Sequence, residues 1–130
     1  MIPEAIFSAG LGDLFVIRSA GNTVDDGVLD SIDYAADHVG CRLVVVMGHT
    51  HCGAVAEAMA HPDEGHPMGI VRAIIGCIGD EKDPEKASRI NVMNTLEEIG
   101  RDACLHSRPK VMGAMYDIDT GIVDFFDYHE

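Results

Sequence analysis

The stretch "VVVMGHTHCGAVAEAM", Val44 to Met59, decides the reading of this chain. Leu43 to Met47 is a continuous apolar, β-branched run, the pattern of a strand in a parallel sheet covered on both faces. Ala54 to Ala60 is alanine-rich and predicts a helix. Between them stand Gly48, His49, Thr50, His51, Cys52 and Gly53. In open parallel sheets, ligands gather beyond the carboxyl ends of the strands, which is where this turn falls. The spacing His-x-x-Cys lets His49 and Cys52 aim an imidazole and a thiolate at one point, and these are donors that tetrahedral Zn²⁺ prefers. A helix beginning near Cys52 favours the thiolate through its positive N-terminus. Gly48 and Gly53 are expected to permit the tight backbone. H-x-x-C alone is a loose pattern, and the competing reading has His49 capping a loop and Cys52 filling core volume. Two donors do not complete a site, because catalytic zinc takes three protein ligands and a water.

The remaining cysteines offer no third donor. Cys41 lies at the opposite end of the same strand, roughly 26 Å from His49 at about 3.3 Å per residue. Cys77 and Cys104 sit among apolar helical residues and read as core thiols. With no C-x-x-C pair, a thioredoxin-like motif and a four-cysteine zinc ribbon are excluded, and all four cysteines read as reduced thiols. His51 is a further donor candidate, although a turn that directs His49 and Cys52 inward points it elsewhere. His38, His61, His66, His106 and His129 fall on helix ends, loops or the terminus and read as solvated.

Outward from this turn, Leu14 to Ile17 predicts a buried strand ahead of a Ser-Ala-Gly-Asn loop. Asp25 or Asp26 caps a helix with Leu29, Ile32, Ala36 and Val39 on one face and Gly40 at its end. "HPDEGHPMG" breaks the next helix. Ile70 to Ile78 is apolar almost all round, which places it inside the protein or, as we read it, in a subunit interface. Asp83 and Pro84 start a long helix running to about Cys104, with Ile90, Met93, Leu96 and Ile99 on one face. Val111 to Tyr116 and Ile122 to Phe126 flank the turn "DIDTG" as a hairpin. The result is an α/β domain over 1–130 with a mainly parallel sheet, flanking helices and an antiparallel C-terminal edge hairpin.

The chain has 130 residues, enough for one domain, and its 22 acidic against 9 basic residues give a net charge of -13. That charge repels a phosphate backbone, so nucleic acid is excluded as a partner. No apolar run approaches the roughly 20 residues of a membrane span, and no secretory signal is legible, so a cytoplasmic protein is expected. "SAGN" is not a phosphate-cradling loop. Arg18, following an expected buried strand in an acidic chain, is expected to pair with a carboxylate, the alternative being that it faces an anion.

With "GDLFVIRSAGN", "SIDYAADHVGCRLVVVMGHTHCGAV", "INVMNTLEEI" and "VMGAMYDIDTGIVDFF" in this order, the chain resembles the β-class carbonic anhydrases from about Ile2 to Phe126. The resemblance implies the β-carbonic anhydrase fold, a zinc cofactor and reversible hydration of CO2 to bicarbonate; a homodimer or larger homo-oligomer is expected because a missing strand and the apolar Ile70 to Ile78 segment leave surface that a monomer would expose. In the family, a Cys, a His and a second Cys hold the metal, and His49 and Cys52 match the last two. The first ligand belongs to a C-x-D-x-R motif whose Asp and Arg form a dyad. "PE" follows that motif almost at once, so Met1 of "MIPEAIF" stands where the residue after its Arg would be. The expectation is that one zinc Cys, the dyad and the first central strand are missing, by truncation or by natural loss, and that activity is impaired. No residue of the chain is therefore assigned to catalysis. The alternatives are hydrolysis of a CO2 analogue such as carbonyl sulfide, and a non-catalytic subunit or binding module.

Overall fold

Asp25 ends an extended stretch, and its carboxylate accepts the Val28 N–H at 2.9 Å, satisfying one of the donors a helix start leaves open. From this cap the computed structural model, which describes residues 1–63, 65–102 and 107–127, builds α2 over Asp26–Tyr34. A short α1, Pro3–Ile6, precedes it. The helix widens into a π-helical turn, Ala35–Val39, before Gly40 closes it at φ 90°. The wider turn rotates the expected face, so Ile32 and Ala36 are buried while Val39 turns outward.

β1 spans Leu43–His49, two residues further than the apolar run. α3, Gly53–Ala60, and α4, Gly69–Ile78, follow. Asp83 then caps α5, Pro84–Gly100, by accepting the Glu85 N–H at 2.9 Å. This helix stops short of Cys104, which lies with His106 and His129 outside the described residues. β2, Lys110–Tyr116, runs parallel to β1, with Leu43 opposite Lys110 and His49 opposite Tyr116. β3, Val123–Asp127, returns antiparallel to β2, giving the sheet order β1-β2-β3 and the expected hairpin. Among the described residues, no helix is long and apolar enough to cross a membrane.

Two apolar clusters hold these layers together. One joins the sheet to α2 and α5 through Ile32, Val46, Val92, Leu96, Ile99 and Phe126. The close approach of β2 to β3 requires Gly113, where a Cβ would collide with the Phe126 ring. The other cluster packs α3 on α4 through Val55, Ala58, Val71, Ile74 and Ile75. Val71, Ile74, Ile75 and Ile78 of α4 thus face inward, with Val71 and Ile74 nearly inaccessible, while Ile70, Arg72, Ala73 and Gly76 face solvent. This corrects the interface reading: α3 and α5 supply the cover that a second subunit was expected to give. On α5 the buried face carries Ser88, Asn91 and Thr95 beside Val92, Leu96 and Ile99, and Ile90 and Met93 are only partly buried.

Leu14 to Ile17 departs most from expectation. It is not a strand, and Phe15 is 45% exposed. A cavity of ≈ 660 Å³ has Leu14 to Arg18 on one wall and Leu43 to Met47 on the other. Among the described residues β1 has a sheet neighbour on one edge only, and Leu14 to Ile17 has no ladder to join. A strand forms only where its backbone groups find partners, so an apolar run facing a gap stays irregular.

Asp33 of α2 provides a pH-dependent element. Removal from water, a hydrogen bond to Asp102, and the charges of Asp102, Asp37 and Asp30 push its carboxyl up to about 6. A raised acid disfavours its charged form in the fold, so this group weakens the native state above about pH 6. Its penalty is relieved as pH falls from there toward its ordinary value of 3.8. Asp33→Asn should raise the melting temperature at pH 8 and leave it nearly unchanged at pH 4, as thermal denaturation monitored by circular dichroism would record.

Candidate metal centre

His49 closes β1 at the mouth of the cavity. The Thr50 N–H continues the ladder to the Tyr116 carbonyl at 3.0 Å, and the Thr50 hydroxyl accepts the Ile118 N–H at 3.1 Å. These bonds fix the Thr50 carbonyl, to which His49 Nδ1 lies at 2.7 Å. A carbonyl oxygen only accepts, so Nδ1 carries a proton, and in the neutral ring Nε2 is the nitrogen that has the lone pair. An imidazole held by such a backbone bond is oriented as metal-ligating histidines are.

Cys52 is the N-cap of α3, 9% exposed, and it also belongs to the α3–α4 core. Both of its sequence readings therefore keep a physical basis: a thiol at a helix N-terminus, and a small apolar volume in a packed cluster. Gly48 is required by crowding, since a Cβ there would lie 2.7 Å from Val92 Cγ2 and 3.0 Å from Met115 Sδ. Gly53 is not: it has open space around it and no positive φ. The left-handed position of the turn belongs instead to His51, at φ 55°.

That conformation sends the His51 ring away. Its Nε2 lies 2.9 Å from Asp119 Oδ2, and this hydrogen bond, then the carboxylate charge, raises its pKa above the ordinary 6.5. His51 is thus engaged by the loop after β2. Among the described residues, no group of three or more His, Cys, Asp and Glu could hold a metal ion. The donors match zinc in kind and fall short of it in number.

The other candidates separate cleanly. Cys41 precedes β1, at the end opposite His49. Cys77 is a half-buried thiol whose burial pushes its pKa up to about 11, so it remains an unreactive thiol at neutral pH. His38 stacks on Tyr34, and His66, expected to be solvated, has a side chain only 10% exposed. Arg18 Nη2 donates to the Met1 carbonyl, and among the described residues it makes no ion pair.

Sequence reasoning missed two residues that shape the cavity's end. Asn91 Nδ2 donates to the Gly21 carbonyl at 2.6 Å, and the Thr95 hydroxyl to the Asn22 carbonyl at 2.9 Å. They pin the Ala20–Asn22 turn, which lines the cavity with His49. Gly21 is needed there, because its φ is 64° and a Cβ would lie 2.7 Å from Ile74 Cδ1. A signal was present: Asn91 and Thr95 are one helical turn apart, on the face that Leu96 and Ile99 bury.

Solved structures define the class of this fold. The β-carbonic anhydrase CcaA superposes with a TM-score of 0.83 at 25% identity, covering 98% of this chain and 68% of that one. A tetrameric β-carbonic anhydrase from Sordaria macrospora superposes with a TM-score of 0.76 at 23% identity, covering 95% and 73%. A carbonic anhydrase of Mycolicibacterium smegmatis is 48% identical over 73 residues, 55% of this chain but only 35% of that protein's length. One from Pseudomonas aeruginosa is 28% identical over 98% of this chain and 68% of its own. The carbonic anhydrase family model matches residues 1–123, and the chain belongs to that family, in its β class.

Proposed function

We propose that the chain serves reversible hydration of CO2 to bicarbonate, with His49 Nε2 and Cys52 Sγ as two of the protein donors to zinc. The observation that carries this reading is the bond from His49 Nδ1–H to the Thr50 carbonyl, which presents Nε2 as a bare donor at the end of β1. When bound, zinc would supply Lewis-acid activation of water beside CO2. The chain's own part is to orient His49 through Thr50, hold Cys52 at the start of α3, and wall the site with the turn that Asn91 and Thr95 pin.

Two donors are too few, and the cavity beside β1 suggests where a third would enter. A strand bearing C-x-D-x-R, seated between β1 and Leu14 to Ile17, would bring a cysteine and the Asp-Arg dyad to the same end of the sheet. Among the described residues no third donor joins His49 and Cys52, and a non-catalytic subunit that works beside a complete relative is the second reading.

The metal reading is tested by zinc content after dialysis against trace metal. Cys52→Ser should lower zinc uptake and Cys41→Ser should leave it unchanged, because Cys52 follows His49 in the same turn whereas Cys41 precedes β1 at its opposite end. Equal loss in both variants would overturn the assignment. For assembly we propose a homo-oligomer, since Leu43 and Phe15 leave apolar surface around the open edge of β1. Sedimentation at micromolar concentration should show a dimer or larger species, and a monodisperse monomer would refute it.

A further inference from the structure

His66 lies outside the metal centre, in the segment joining α3 to α4, and both of its ring nitrogens are engaged. Nε2 faces Glu57 Oε1 of α3 at 3.1 Å, and Nδ1 accepts the N–H of Met68, the N-cap of α4, at 3.1 Å. A carboxylate only accepts and a backbone N–H only donates, so these two bonds need a proton on Nε2 and a lone pair on Nδ1. The same residue's carbonyl accepts from Arg72 Nη1 at 2.6 Å, and its own N–H donates to the Asp63 carbonyl at 3.1 Å. The N-cap of α4 makes no side-chain cap bond, and of these bonds those from the Met68 N–H and Arg72 Nη1 tie its start to the preceding segment.

We propose that His66 is a proton-sensitive latch that holds the first turn of α4 against α3. A second proton can enter the ring only at Nδ1. There it would face the Met68 N–H, donor against donor, and that hydrogen bond would be lost. The resulting cation would also sit beside the positive N-terminal end of α4 and near the Arg72 guanidinium. On the other side, Glu57 faces the ring and favours the cation, with His61 Nε2 also 3.9 Å from the same carboxylate oxygen. Protonation thus strengthens the tie to α3 while breaking the tie to α4, and the connection between the helices opens at its α4 end. Histidine is suited to such a role because its charge ordinarily changes between about pH 5 and 8. Engaged Nδ1 also argues against a metal on this His-Glu-His group, since a ring ligating through Nε2 would have a proton on Nδ1 and could not accept from Met68.

The test is backbone amide exchange at Met68 and Arg72, corrected for intrinsic rates, from pH 8 to pH 5. Protection should fall at least tenfold on acidification, with the midpoint at which the His66 ring titrates by NMR. In His66→Asn, whose side-chain oxygen can still accept from Met68 but takes up no proton, protection should be flat. Glu57→Gln keeps the ring but removes the charge that favours the cation, so the midpoint should move to lower pH. Flat protection in the unaltered protein, an equal fall in His66→Asn, or an unmoved midpoint in Glu57→Gln would each overturn the latch.

Discussion

A chain extended ahead of Met1 by a strand bearing C-x-D-x-R should hydrate CO2 about a thousandfold faster than the 130-residue chain, roughly 4 kcal/mol of barrier. Two contributions would enter together. A third protein donor raises zinc affinity, and in structural sites the complete set contributes about 10–16 kcal/mol. The dyad then orients the attacking water, and positioning of this kind is worth several kcal/mol. The cavity beside β1 gives the added strand a place with apolar walls and an unpaired backbone edge. Stopped-flow hydration assays on both proteins, with zinc quantified in each, make the comparison. Equal turnover by the short chain would show that a neighbouring subunit or another residue completes the site. A zinc-loaded but inactive extended chain would instead favour the non-catalytic reading.

The second large effect concerns stability. Ile74→Ala should cost about 2–5 kcal/mol, the range for deleting a large apolar side chain from a packed interior. Ile74 is 0% exposed, packs in the α3–α4 cluster, and reaches the Gly21 turn with Cδ1. Urea denaturation at several protein concentrations separates the two readings of α4. A loss independent of concentration is expected of an interior helix. A loss seen only where subunits dissociate would restore the interface reading.

The local signals were legible because each rests on residues a few positions apart. Asp25 and Asp83 as caps, the helical spacing of Ile32 and Ala36, the apolar run into β1, and the turn between β2 and β3 are such signals, and the structure follows them. The motif around Gly48 to Cys52 was legible for the same reason, as were the segments carrying the family resemblance. What stayed hidden depends on partners distant in the chain. That His51 would point elsewhere was expected, but its partner Asp119, 68 residues on, was not, nor was the hold of Thr95 on the Ala20–Asn22 turn, 73 residues from Asn22. His66 lost its expected solvation to a carboxylate on the preceding helix. Ile70 to Ile78 and Leu14 to Ile17 show the limit most directly: both are apolar, and composition alone made each a buried element. Burial is a property of what lies opposite. α4 found α3 and α5 there, whereas Leu14 to Ile17 faces a cavity, so the same chemistry gave a core helix in one case and an exposed, unpaired segment in the other.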